Sequence, residues 1–170
     1  EGSSPFFGSV DPSLGKQSKK HDPSAIMGGY WKNGILYLEI ADEAKRKPDV
    51  IINDIYNYHE RYTFSAFGAE SVQFQEFFAT SLETEAKNRG KSLPVTQIHS
   101  STDKYLRIQR LQPWLKNGWV RLKKNMRNLL LQIEQYPMCA HDDLLDALEM
   151  LISLCEQQGK AEKWSFVTAE

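Results

Sequence analysis

Apolar residues recur along the chain with two periods, and the changes from one period to the other mark out its elements. Phe6-Phe7-Gly8-Ser9-Val10 is a short apolar run halted by the turn formers Asp11-Pro12-Ser13-Leu14-Gly15, which predicts a buried strand ending at Asp11. Gly15 to Ser24 holds three lysines, a histidine and a proline and reads as an exposed loop. Ala25 to Trp31 and Ile35 to Ile40 flank Lys32-Asn33-Gly34, and Asn-Gly suits a tight hairpin, so the opening unit is three antiparallel strands. Pro48 fits a first helical position, and Ile51, Ile55, His59 and Tyr62 follow at helical spacing, predicting an amphipathic helix over about 48 to 62. Thr63 to Ala69 returns to strand character and ends at Glu70. Phe74, Phe77, Phe78 and Leu82 then share one face of a second helix, which closes at Arg89-Gly90 where glycine accepts positive φ.

Pro94 to Ile98 reads as another short strand, followed by a basic helix over about 103 to 112 and a small strand at Trp119-Val120-Arg121-Leu122. Met126 to Gln135 predicts a helix with a leucine face. The last element opens at His141-Asp142-Asp143 and continues with Leu144, Leu145, Leu148, Leu151 and Leu154 or Cys155 at helical intervals. Strands alternating with helices after the hairpins imply an α/β fold: a mixed sheet of about five main strands, three antiparallel and then parallel ones, with helices on both faces. The chain of 170 residues reads as one domain over 5–158. Glu1-Gly2-Ser3-Ser4, without methionine, reads as a tag or linker remnant of an excised piece, and 159–170 as a loosely attached tail.

Composition narrows the partners only slightly. With 21 basic and 22 acidic residues the formal charge is −1, so a polyanion partner has to be argued from local clusters. Cys139 and Cys155 are the only cysteines and lack zinc-site spacing, which fits reduced thiols in a cytosolic protein. No apolar run reaches membrane-span length and no signal peptide is visible.

Three acidic positions stand where a sheet-based site would gather them: Asp11 ending the first strand, Glu70 ending the central strand, and Asp142, Asp143 and Asp146 opening the last long helix. Converging carboxylates repel one another unless a cation neutralises them, and their hard oxygens suit Mg²⁺ or Mn²⁺. Two such ions can activate a water and stabilise the leaving oxygen of a phosphodiester. Each acid also has a plainer reading: Asp11-Pro12 is a common turn opening, Glu70 suits a helix N-terminus, and Asp142 or Asp143 would cap a helix. The doubled aspartate is the more pointed signal, since one would suffice as a cap.

The order Gly8-Ser9-Val10-Asp11-Pro12-Ser13-Leu14-Gly15, then Phe67-Gly68-Ala69-Glu70 with Gln73, then His141-Asp142-Asp143-Leu144-Leu145-Asp146-Ala147-Leu148 resembles the C-terminal nuclease domain of tailed-phage terminase large subunits. That resemblance spans about Phe6 to Cys155 and implies a ribonuclease H-like fold. It also implies a metal-dependent endonuclease, working in the bacterial host's cytoplasm, that cuts concatemeric viral DNA during packaging. It gives Asp11, Glu70 and Asp143 the catalytic, metal-ligating roles for two Mg²⁺ or Mn²⁺ ions, with Asp142 and Asp146 as further candidate ligands and His141 as an orienting or purely structural histidine. The implied partners are double-stranded DNA, an N-terminal ATPase domain in the full-length protein, the small terminase subunit and the portal. No phosphate loop is present: six residues separate Gly8 from Gly15-Lys16 where four are required, and Gln17 replaces the Ser or Thr.

Between Lys104 and Ile133 lie eight basic residues and no acid. Lys104, Arg107 and Arg110 fall three apart, the arrangement for following phosphates, and with Lys123, Lys124 and Arg127 they are the DNA-binding candidates. A solvated helix face is the bland alternative, and Trp114 and Trp119 suit a core or interface as well as a stacking platform. Competing functions are another ribonuclease H-like nuclease, of junction-resolvase or transposase type, and a non-catalytic module that docks DNA or a motor.

Overall fold

A computed structural model describes residues 3–13, 23–100 and 102–167. Six strands, β1 (Phe6–Asp11), β2 (Ser24–Lys32), β3 (Ile35–Ala44), β4 (Ala66–Glu70), β5 (Val95–Ile98) and β6 (Val120–Arg121), form one sheet in the order β5-β4-β1-β2-β3-β6. β1, β2 and β3 are antiparallel, whereas β4 runs parallel to β1, β5 parallel to β4 and β6 parallel to β3. The mixed α/β sheet read from the sequence is therefore present, with β6 as a two-residue addition at one edge. At the β2–β3 hairpin Asn33 and Gly34 take φ of 53° and 76°, the positive pair that a tight turn demands. The same ladder shifts register between Gly28 and Gly29. A Cβ on Gly29 would stand 2.5 Å from the Tyr37 carbonyl oxygen, so the strands close there only around glycine.

Strand alternation sends successive side chains to opposite faces. Phe6, Val10, Ile26 and Ile40 pack against Ile51, Ile52, Ile55 and Tyr56 of α1 (Pro48–Tyr62). Phe7, Ala25, Met27, Leu36 and Leu38 pack on the other face against α7 (Asp143–Val167). Leu144, Leu145, Ala147, Leu148, Leu151, Leu154 and Cys155 of α7 are all essentially inaccessible. A helix buried around so much of its circumference needs a second cover, which α4 (Lys104–Gln109), α5 (Leu111–Lys116) and α6 (Arg127–Gln135) supply. Among the described residues no helix is long and apolar enough to cross a membrane.

The elements depart from expectation in four places. β4 begins at Ala66 and not at Thr63, because Thr63 closes α1 in the left-handed region with φ of 56° and donates its N–H to the His59 carbonyl. The single phenylalanine-faced helix is α2 (Ser71–Gln73), a π-helical turn (Phe74–Phe78) and α3 (Ala79–Arg89), ending at Gly90 with φ of 63°. The basic helix is split at Arg110 into α4 and α5: Pro113 has no N–H to give the Gln109 carbonyl, and its ring crowds that carbonyl. Finally, α7 continues past Gly159 to Val167, through the stretch read as a tail; a lone helical glycine costs only about 1 kcal/mol. The lysine-rich loop falls on residues 14–22, outside those described.

Candidate active site

Parity along β1 places Phe7, Ser9 and Asp11 on the face covered by α7. Ser9 Oγ donates to the Ala147 carbonyl at 2.6 Å, pinning the first turns of α7 over the end of β1. On β4, Ala66 packs into that same core and a Cβ on Gly68 would stand 3.6 Å from Met150 of α7, so Glu70 belongs to this face as well. Val10 and Ala69 are the last paired residues of these parallel strands, and Asp11 and Glu70 follow them at neighbouring carboxyl ends. Gln132 of α6 fixes the start of α7 by accepting the Leu144 N–H at 3.1 Å and donating to Glu43 at 2.7 Å. The result sets Asp143 and Asp146 against the end of β1, with Asp142 on the outer side beside Lys104.

Asp11 and the helix acids meet electrostatically. Burial, then Asp146, then Asp143 push the Asp11 carboxyl up to about 7, against the opposing pull of the Ser13 N–H and Lys104. Ser13 is the link between the two elements: its N–H donates to Asp11 Oδ1 at 3.0 Å and its hydroxyl to Asp143 Oδ1. Asp143 is raised chiefly by burial and also by Asp142, although the Ser13 hydroxyl, His141 and Lys104 oppose this. Asp146 is likewise raised by burial and by Asp142, with Lys104 and Arg107 opposing. Its Oδ1 is buried without a hydrogen-bond partner. These carboxylates are short of positive charge.

Lys104 supplies part of it. Its ammonium lies 2.9 Å from Asp142 Oδ1 and 2.6 Å from Asp146 Oδ2; burial disfavours the charge, but the hydrogen bonds to Asp146 and Asp142 outweigh it and hold the amine protonated well above the ordinary lysine range. Glu70 is turned to another task, accepting the Gln73 N–H at 3.0 Å as the cap of α2. As arranged, no three His, Cys, Asp or Glu side chains among the described residues close on a point where they could hold a metal ion. The reason is visible in the partners: Asp143 faces Ser13, Asp142 and Asp146 face Lys104, and Glu70 faces its helix.

The remaining basic candidates divide among α7, β3 and solvent. Arg107 pairs with Glu149 at 3.4 Å, and Arg110 with Glu149 at 3.4 Å and Glu156 at 3.2 Å, so the stripe read as a phosphate track lies on an acidic stripe of α7. Glu149, with a side chain only 6% exposed, was not singled out in the sequence, nor was Ser13. The signal for Glu149 is its spacing, since Asp142, Asp146, Glu149 and Glu156 keep to helical intervals. Lys123 pairs with Glu39, while Lys124 and Arg127 are exposed beside the start of α6. Trp114 packs against Trp31 and Trp119, at centroid distances of 5.9 and 5.8 Å, with Trp119 partly open to solvent.

With this geometry in view, residues 8–154 match the family described as the terminase RNase H-like domain. Among solved structures, the large terminase of bacteriophage HK97 superposes with a TM-score of 0.63 at 12% identity over 88% of this chain and 39% of that one. The chain thus spans about two fifths of the HK97 protein. The human cytomegalovirus terminase nuclease domain, soaked with manganese and with an inhibitor bound, gives 0.61 at 13% identity over 90% of this chain and 83% of that one. The large terminase nuclease of a thermophilic phage gives 0.64 at 14% identity over 88% and 81%. Among curated proteins, none matches the sequence.

Proposed function

This chain belongs to the terminase RNase H-like domain family, and from that premise we propose that it is a divalent-metal-dependent endonuclease domain that cuts double-stranded, concatemeric viral DNA during genome packaging in the host cytoplasm. The observation that carries the reading is the crowding of Asp11, Asp143 and Asp146 at the end of β1, which pushes a carboxyl to about 7 and leaves a buried carboxylate oxygen without a partner. Uncompensated hard oxygen donors of this kind fit Mg²⁺ or Mn²⁺. Asp11 and Asp143, with Glu70 once its carboxylate leaves the α2 cap, are the residues that would hold the first ion, and Asp142 and Asp146 the adjoining donors for a second. Bound there, such ions would supply an activated water and charge stabilisation for phosphodiester hydrolysis.

The chain's own residues would do the rest. Ser13 holds Asp11 and Asp143 in register, Ser9 keeps the strand end against α7, and the exposed Lys124 and Arg127 are suited to backbone phosphates without reading sequence. Lys123, and Lys104, Arg107 and Arg110, would join them only on leaving their acidic partners. An N-terminal ATPase domain in the longer protein, the small terminase subunit and the portal are the partners this reading implies.

Supercoiled plasmid incubated with the chain and Mn²⁺ or Mg²⁺ tests the activity. Nicked and linear products are expected, with loss of both in Asp11→Ala and Asp143→Ala; cleavage that survives both changes overturns the site. The closed arrangement of the acids favours one rival, a non-catalytic module. A melting temperature raised by Mn²⁺ in the parent but not in the two variants decides against it.

A further inference from the structure

The candidate site already contains a cation. Lys104 is the first residue of α4, whose start is held by Asp103 accepting the Tyr105 N–H at 2.9 Å and the Leu106 N–H at 3.4 Å. Its ammonium bridges Asp142 Oδ1 and Asp146 Oδ2. Further along α4 the charges are guanidinium groups: Arg107, with a side chain 18% exposed, grips the buried Glu149, and Arg110 grips Glu149 and Glu156. Lys104 and Arg110, with side chains 46% and 55% exposed, are the open rungs of this ladder, and Lys104 alone of the three faces Asp142 and Asp146. The residue types match the difference: arginine holds a carboxylate through a rigid fork, whereas lysine carries a compact, readily hydrated charge on a flexible stem. Lys104 can therefore swing out while the arginines keep α4 on α7.

We propose that Lys104 occupies one of the two cation positions of the metal-free site, so that ions load in order. The first enters beside Asp11 and Asp143 with Lys104 in place. The second reaches Asp142 and Asp146 only when Lys104 is displaced, and the freed ammonium then stands at the rim of the site, where a DNA phosphate would lie. A lysine that serves as counter-ion in the empty site becomes a phosphate contact in the loaded one. The inference rests on the two-ion reading above.

Calorimetric titration of the chain with MnCl₂ tests it. The parent is expected to bind two ions, the second more weakly. In Lys104→Met, which keeps the aliphatic stem, the two affinities draw together by roughly tenfold or more, the scale set by losing charge-assisted hydrogen bonds; Lys104→Arg retains the wide separation. An unchanged ratio in Lys104→Met overturns the role of Lys104 while leaving the metal site standing. Absence of Mn²⁺ binding in both parent and variant overturns the metal reading and this inference with it. A second measurement needs no variant. Acetylation of Lys104, followed by peptide mass spectrometry, is expected to be slow in chelator and to accelerate as the second ion binds; a rate indifferent to saturating Mn²⁺ overturns the displacement.

Discussion

Asp11→Asn removes a charge and leaves the shape, and the amide oxygen still accepts the Ser13 N–H that Asp11 receives at 3.0 Å. In the metal-free chain burial, Asp146 and Asp143 raise the Asp11 carboxyl from 3.8 to about 7. Over that window the folded chain holds a proton that the unfolded chain has released, so stability falls as pH rises and the full penalty is present above the folded value. Each tenfold change in proton affinity is worth about 1.4 kcal/mol, so the upper limit is about 4 kcal/mol. Asp11 keeps part of its surface open to solvent, and screening brings the expected gain of Asp11→Asn nearer to about 2 kcal/mol. For a chain of this size that corresponds to a rise of roughly 4–8 °C in Tm. Thermal melts in chelator should show the variant above the parent at about pH 8, with the gap mostly closed by about pH 4, where the parent's Asp11 is protonated in the folded state, and vanishing below the unfolded value of 3.8 as the unfolded chain takes up the proton too. Mn²⁺ should reverse the order by stabilising the parent alone. A variant no more stable than the parent at the alkaline end would refute the picture of a crowded, under-neutralised carboxylate.

Three further outcomes follow from contacts in the structure. Gly29→Ala drives a Cβ to 2.5 Å from the Tyr37 carbonyl oxygen and should lower stability by about 2 kcal/mol or more in urea unfolding; a neutral effect would contradict the β2–β3 register. Glu149→Gln takes the charge from the buried partner of Arg107 and Arg110 and should cost about 2 kcal/mol, read together with faster amide exchange across α4; exchange unchanged from the parent would deny the ladder its role. Glu70→Ala removes the cap on the Gln73 N–H at about 1 kcal/mol, and a Mn²⁺-induced rise in Tm that persists in full would remove Glu70 from the ligand set.

Much of the fold was legible because it is written in local chemistry. Asn33-Gly34 specified the hairpin, Pro48 the start of α1, Gly90 the end of α3, and the two periods of apolar residues assigned the faces. The misread boundaries have equally local causes that periodicity does not register. Thr63 is a β-branched residue in the left-handed region, the π-helical turn at Phe74–Phe78 breaks a spacing that reads as regular helix, and Pro113 acts four residues back on Gln109. Of the candidate site, sequence order gave the acids but not their partners. That Ser13 would join Asp11 to Asp143, a residue 130 positions beyond it, and that Lys104, Arg107 and Arg110 would face α7 are consequences of packing, invisible in a run of eight basic residues with no acid.

The doubled aspartate shows how position on a helix divides labour. Asp142 stands just before the first helical residue, Asp143, and its carbonyl takes the Asp146 N–H, so the two neighbours serve different directions. Asp143 is buried and turned toward Ser13 and Asp11, whereas Asp142 lies at the outer edge with Lys104. Asp146, one turn on, bridges the two groups: one carboxylate oxygen meets Lys104 and the other is buried without a partner, while its charge is the strongest of those raising Asp11. A single capping aspartate could satisfy a helix end, but it could not face both the strand end and α4. The pair followed by Asp146 instead gives α7 an inner and an outer set of carboxylates, and it is this division on which the proposal of two cation positions stands.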